Sequence, residues 1–172
     1  MSERAGLALP IVLIGAMGAG KSAVGQRLAA SVGAPFIDTD ARIVERYGPI
    51  EEIFARRGEE AFRVVEREVV AEALREEAVI SLGGGAVLHP ETRRDLADLP
   101  VVWLRVSPEA VAPRLTGGTR PLLAEGGLAR WAAILEERTP VYRSLADLDI
   151  DTSRRSVPRI VHDIAERFGG SR

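Results

Sequence analysis

The sequence predicts an α/β fold in which a parallel sheet is covered by helices on both faces. Two observations carry this reading. Short apolar runs alternate with helical patterns along the whole chain of 172 residues, with no internal repeat and no low-complexity tract. The first run, Leu9–Ile14, ends directly on Gly15-Ala16-Met17-Gly18-Ala19-Gly20-Lys21-Ser22, a complete G-x-x-x-x-G-K-[ST] motif, and a helical pattern follows at once.

Taken in order, Leu9–Ile14 reads as a buried strand because it is continuously apolar and short. Lys21–Ala30 has helical composition, with Val24, Leu28 and Val32 spaced for one buried face. Pro35–Ile37 is the second strand, and Asp38-Thr39-Asp40 follows it directly. Ala41–Tyr47 and Ile50–Phe54 are short helical patterns, whereas Glu59–Arg75 is long and amphipathic, with Phe62, Val65, Val69 and Ala73 on one face. Ala78–Leu82 is the third strand and leads into Gly83-Gly84-Gly85. Helical patterns over Pro90–Leu96 and Pro108–Leu115 flank a fourth strand, Val101–Val106. Leu128–Ser144 is helical, Leu148–Ile150 is a weaker fifth strand, and Val157–Phe168 closes the chain as a helix. Thr116–Gly127 breaks the alternation: it holds four glycines and Pro121 between two helices. Its alternatives are a plain surface loop and a lid, and Arg120 within it favours the lid.

Composition narrows the function. The chain is expected to be one domain over residues 1–172, with 46% hydrophobic and 28% charged residues, as in a soluble globular protein. A net charge of −2 argues against a nucleic-acid partner, because phosphate backbones demand a basic surface. The absence of cysteine excludes disulfides, thiolate metal sites and cysteine catalysis. No apolar stretch is long enough for a bilayer, and Met1-Ser2-Glu3-Arg4 lacks the apolar core of a signal peptide, so a cytoplasmic location without a membrane partner is expected.

Strand, glycine loop and helix in this order let backbone N–H groups and a helix N-terminus converge on an anion, which indicates nucleotide binding. Lys21 is the one lysine of the chain; the other 22 basic residues are arginines. An ammonium is a compact charge on a flexible stem, able to follow a moving phosphoryl group. Ser22 would offer its hydroxyl to a magnesium ion that bridges the phosphates. Asp38 and Asp40 stand where open α/β sheets place ligands, one suited to magnesium or its waters and the other to a substrate hydroxyl. Their competing role is helix capping, for which Asp40 is the candidate. Gly83, Gly84 and Gly85 would let a second ligand approach exposed backbone N–H groups.

The arginines are ambiguous one by one. Arg63 stands four residues after Glu59 and three before Glu66, so its plain reading is a surface ion pair. Arg138 lies near a helix end, and Arg154 and Arg155 open the last helical segment. Two such forks converging would form a carboxylate clamp. His89 and His162 suit capping or surface roles, and Trp103 and Trp131 suit packing.

Together these residues resemble the shikimate kinase family, over Ile11 to about Ile160. The likeness runs through the glycine loop with Val24-Gly25, Phe36-Ile37-Asp38-Thr39-Asp40, Ile53-Phe54 to Gly58-Glu59 with Phe62-Arg63 and Glu66, Ser81-Leu82-Gly83-Gly84-Gly85-Ala86, Arg120-Pro121-Leu122-Leu123, and Arg138-Thr139-Pro140-Val141-Tyr142. It implies a five-stranded parallel sheet in the order 2-3-1-4-5, as in nucleoside monophosphate kinases, a lid over about 116–127 and a substrate-binding helical region over about 40–66. It implies phosphoryl transfer from ATP to the 3-hydroxyl of shikimate by a monomeric enzyme with Mg2+ as cofactor. Asp40 would then meet the shikimate hydroxyls, Arg63 and Arg138 would clamp the carboxylate, and Gly83, Gly84 and Gly85 would lie against the substrate. Gly18, Ala19, Gly20, Lys21, Ser22 and Ala23 would bind the nucleotide phosphates, Ala23 through backbone N–H alone. Ser22 would bind magnesium with Asp38 behind it, Lys21 and Arg120 would neutralise the transferring phosphoryl, and Arg155 would lie against adenine. Two rivals share parts of this pattern. A gluconate kinase has the phosphate loop without a reason for the triple glycine and both arginines; a non-catalytic nucleotide binder has no need of Asp38, Asp40, Arg120 and Lys21 together.

Overall fold

A computed structural model describes residues 6–115 and 126–169. The described residues form β1 (Ile11–Ile14), α1 (Lys21–Val32), β2 (Phe36–Asp38), α2 (Thr39–Tyr47), α3 (Ile50–Ala73), β3 (Val79–Ser81), α4 (Pro90–Leu96), β4 (Val101–Arg105), α5 (Pro108–Leu115), α6 (Gly127–Leu145), β5 (Leu148–Asp151) and α7 (Val157–Phe168), with a 3-10 turn over Ala86–Leu88 before α4. The sheet is parallel throughout, in the order β2-β3-β1-β4-β5. This is the order the family resemblance implies.

β1 is central: Val12 stands in register with Ile80 on one side and Val101 on the other. Successive strand residues face opposite sides of a sheet, so a strand covered on both faces must be apolar at every position. Ile11 and Leu13 pack with Val24, Leu28 and Ala29 of α1 and Ile160 and Ile164 of α7. Val12 and Ile14 face the other way, onto Val70 and Ala73 of α3, Leu96 of α4 and Tyr142 of α6. A third, smaller cluster joins Ile43 of α2 to Ile53, Phe62, Val65 and Val69 of α3, so these helices rest on a core of their own beside the sheet.

The structure joins two expected helices. The patterns over Ile50–Phe54 and Glu59–Arg75 belong to a single element, α3, broken at Gly58, which has φ 82 and ψ 169. Ala55, Arg56 and Arg57 are good helix formers and extend the first piece. Gly58 then adopts a positive φ that side-chain-bearing residues resist, and the chain starts a new helical segment from there. The second segment carries Arg63 and Glu66. The lid expected over 116–127, with Arg120, lies outside the described residues except for Gly126 and Gly127, which lead into α6.

Candidate active site

The glycine loop leaves the C-terminal end of β1 and passes into α1. Gly18 and Gly20 have φ of +83 and +95, which lets the chain curl before Lys21 starts the helix. Lys21 Nζ donates to Gly15 O at 2.7 Å and to Ala16 O at 3.0 Å, so the ammonium lies along the loop itself. Ser22 Oγ donates to Asp38 Oδ2 at 3.2 Å. Two hard oxygen ligands therefore meet beside the phosphate loop, a donor set that suits Mg2+ completed by phosphates and water. Among the described residues no group of three or more His, Cys, Asp or Glu could hold a metal.

Asp38, not Asp40, is the cap. Its Oδ1 accepts the Ala41 N–H at 3.2 Å and its backbone is extended, while Asp40 already lies in the first turn of α2. An N-cap must precede the helix with extended geometry, and α2 starts two residues earlier than its apolar pattern suggests. The two carboxylates thus do not share one extended segment. Asp38 serves the phosphate loop through Ser22, and Asp40 turns toward Gly83. Between them Thr39, fully buried, donates its hydroxyl to Ser81 O and accepts the Gly83 N–H, each at 3.3 Å. This threonine stitches the start of α2 to the glycine run.

Each glycine of the run makes room for a different side chain. A Cβ on Gly83 would lie 2.6 Å from Asp40 Oδ1; on Gly84, 3.1 Å from Arg138 Nη1 and 3.5 Å from Tyr142 OH; on Gly85, 2.5 Å from Arg63 Nη2. The Gly83 N–H is spent on Thr39, and Gly84 O accepts the Tyr142 hydroxyl. The expectation that the run exposes its N–H groups therefore fails at Gly83. Three consecutive glycines are required because three functional side chains close on them, and a single turn would need only one. The Cβ position of Gly84 also lies 3.6 Å from Gly15 O, which sets this cluster against the root of the phosphate loop.

Arg138 and Tyr142 stand one helical turn apart on α6, so both reach Gly84 from one face. Arg138 is buried, which removes the helix-terminus reading of this residue. Arg63 makes the pairs that its spacing predicts, with Glu59 at 3.4 Å and Glu66 at 2.8 Å. The second is not a surface pair, because Glu66 is only 4% exposed. Burial raises the Glu66 carboxyl to about 7 against the pull of the Arg63 and Arg138 guanidinium groups, and the charge of Asp40 adds to the rise. The Tyr142 phenol is likewise raised by burial and opposed by Arg138.

Arg155 is exposed and pairs with Asp163 of α7 at 3.2 Å, bordering a depression lined by Ser107, Ala110, Asp151 and Ser153. Arg114, at the end of α5, donates to Gly18 O of the phosphate loop at 2.6 Å. His89 caps α4 through Nδ1, and His162 is an exposed helix residue near Glu166. The structure thus brings Lys21, Ser22 and Asp38 together, and Asp40, Arg63, Arg138 and Gly83–Gly85 together. Sequence reasoning placed Thr39, Glu66 and Tyr142 within the motifs and gave Glu66 a surface pair, but assigned none of them a role in the site; the i,i+4 spacing of Arg138 and Tyr142 is the signal that could have found the last of these.

A phosphate loop beside a cluster of two arginine forks and a carboxylate is the arrangement of a P-loop kinase, a phosphotransferase acting on a small-molecule alcohol. The family model for shikimate kinase matches residues 17–168. The shikimate kinase of Mycobacterium avium (strain 104) is 48% identical over 161 residues, covering 91% of this chain and 92% of that protein. The chain belongs to the shikimate kinase family. The solved structure of shikimate kinase from Acinetobacter baumannii in complex with shikimate superposes with a TM-score of 0.87 at 34% identity, covering 91% of this chain and 90% of that one. A gluconokinase from Sinorhizobium meliloti 1021 shares the fold alone, with a TM-score of 0.60 at 22% identity over 94% of each chain.

Proposed function

We infer that the protein transfers the γ-phosphoryl group of ATP to the 3-hydroxyl of shikimate, giving shikimate 3-phosphate and ADP on the route to chorismate and the aromatic amino acids. The observation that carries this reading is the glycine run, where Asp40, Arg138 and Arg63 close in turn on Gly83, Gly84 and Gly85. An acid with hydroxyls on its ring needs this set: two planar forks for the carboxylate and one carboxylate for a hydroxyl. Permanently charged guanidinium groups hold the acid, while Asp40 accepts a hydrogen bond from the attacking hydroxyl and takes its proton as the new bond to phosphorus forms. In a loose transition state this orientation matters more than basic strength.

On the donor side, the N–H groups of Gly18 and of Gly20 to Ala23 cradle the phosphates, Ala19 lines the loop with its N–H donated to Ala16 O at 3.2 Å, and Lys21 follows the phosphoryl group in transfer. Ser22 and Asp38 would hold Mg2+, which would neutralise charge on the phosphates. Arg120, on a lid over 116–127, adds a second cation at the phosphoryl group, and Arg155 lies against adenine. We read residues 1–172 as one kinase domain whose substrate-binding helices span about 40–66, acting as a cytoplasmic monomer on ATP and shikimate. A coupled ADP-release assay across a panel of hydroxy acids, with and without Mg2+, tests the reading. Turnover with gluconate and none with shikimate would overturn the acceptor and leave the kinase chemistry standing.

A further inference from the structure

Five successive carbonyls of the phosphate loop each accept a hydrogen bond from a side chain. Gly15 O and Ala16 O are held by Lys21, Met17 O by Trp131 Nε1 at 2.9 Å, Gly18 O by Arg114 Nη1 at 2.6 Å, and Ala19 O by Thr152 Oγ1 at 2.9 Å. Gly20 O then accepts the Val24 N–H inside α1 at 3.0 Å. Lys21 belongs to the loop motif. The other three donors arrive from α5, from α6 and from the segment after β5, and the established chemistry assigns nothing to Trp131 or Thr152.

Both are buried, Trp131 at 2% exposure and Thr152 at 5%. The Thr152 hydroxyl lies 2.9 Å from Arg105 O as well as from Ala19 O; Arg105 O also accepts the Thr152 N–H at 2.8 Å and so stays satisfied when the hydroxyl proton turns to Ala19 O. Ser153 accepts the Ser107 N–H at 2.8 Å and ties the same segment to the end of β4. In a planar trans peptide the C=O and the following N–H point in opposite directions. A donor that holds Ala19 O outward therefore aims the Gly20 N–H the other way, and one on Met17 O does the same for the Gly18 N–H. The loop is otherwise glycine-rich and free to rotate these peptides.

We propose that Thr152 and Trp131 are positioning residues for nucleotide binding, presetting the Gly20 and Gly18 N–H groups toward the phosphates by holding the Ala19 and Met17 carbonyls from outside. This rests on reading the loop as the nucleotide site. Thr152→Val keeps the shape and removes the hydroxyl; Thr152→Ser keeps the hydroxyl; Trp131→Phe keeps an aromatic ring and removes the N–H. Calorimetric titration with MgADP, together with KM for ATP and for shikimate, reads the effect. Thr152→Val and Trp131→Phe should each weaken MgADP and raise KM for ATP about five- to tenfold, the scale of one hydrogen bond whose buried acceptor is orphaned. KM for shikimate should stay within about twofold in both, and Thr152→Ser should bind MgADP like the wild type. Unchanged MgADP affinity in Trp131→Phe, or in a folded Thr152→Val, would overturn the proposal. So would a Thr152→Ser variant as weak as Thr152→Val, or a parallel rise in both KM values, because either means that packing is responsible. A wild-type protein that did not bind MgADP would remove the reading of the loop itself, an outcome distinct from wild type and variants binding equally.

Discussion

Alanine at Gly85 tests the acid clamp. Its Cβ would lie 2.5 Å from Nη2, 2.6 Å from Nη1 and 2.8 Å from Cζ of Arg63, so the whole guanidinium group occupies that space. Carbon contacts settle at about 3.5–4.0 Å, and the group must retreat by about 1 Å. The displacement itself strains the chain little, because Arg63 is a flexible side chain and 22% exposed. The backbone does not object either: Gly85 has φ −96 and ψ −2, open to any residue, and alanine there lowers the entropy of the unfolded chain by about 0.4–1 kcal/mol. The 2.8 Å pair with Glu66 does not survive such a shift. A charge-assisted bond is worth about 1.5–3 kcal/mol, and its loss takes one fork of the acid clamp out of register. We expect KM for shikimate to rise about 10- to 100-fold, KM for ATP to stay near the wild-type value and the melting temperature to fall by a few degrees, because the lost pair outweighs the entropy gained. Steady-state kinetics in each substrate and a thermal melt measure this. An unchanged KM for shikimate in a folded Gly85→Ala enzyme would refute the argument that the glycines exist to admit the arginine.

Three further variants test other parts of the reading. The Glu66 carboxyl is held at about 7, above its ordinary 4.5, so between these values the folded protein keeps a proton that the unfolded chain has released and stability falls as pH rises. Glu66→Gln removes that slope: its stability relative to wild type should increase by about 2–3 kcal/mol from pH 5 to 8.5 in denaturant unfolding, and a pH-independent difference would count against burial as the cause. Asp40→Asn should lower kcat about 10²- to 10⁴-fold while ATP binding persists, because Asp40 faces Gly83 and not the phosphate loop; substantial turnover would exclude Asp40 as the partner of the hydroxyl. Lys21→Arg keeps the charge but cannot place a planar fork between Gly15 O and Ala16 O, so kcat should drop about 100-fold, and an active variant would show that a point charge is not needed.

The central strands were legible because burial on both faces leaves no polar position to disguise them: Ile11 to Ile14 are all 1% exposed or less. Three helices follow their expected bounds, Pro90–Leu96, Pro108–Leu115 and Val157–Phe168, each opening with proline at or next to its first residue. Local rules failed where two of them competed. Asp38 and Asp40 are both plausible caps by composition, and only the position of α2 against Ser81 and Gly83 selects Asp38. Arg63 and Glu66 have the spacing of a solvated pair, and spacing carries no information about depth. Trp131 looked like a packing residue, which it is, but its indole N–H meets a carbonyl 114 residues away, and Thr152 meets one 133 residues away. No periodicity in the chain encodes such contacts.

By itself the sequence determined the alternation of strands and helices, the loop that binds phosphate and the stock of arginines and carboxylates able to hold an acid and a hydroxyl. These are properties of short segments, set by backbone sterics, apolar periodicity and the chemistry of individual side chains. The tertiary structure decided which glycine admits which functional group, which carboxyl is buried enough to hold its proton near neutrality, and which distant donors turn the carbonyls of the loop outward. Those are matters of distance and desolvation, and they arise only when β1, β3, α3 and α6 are packed together.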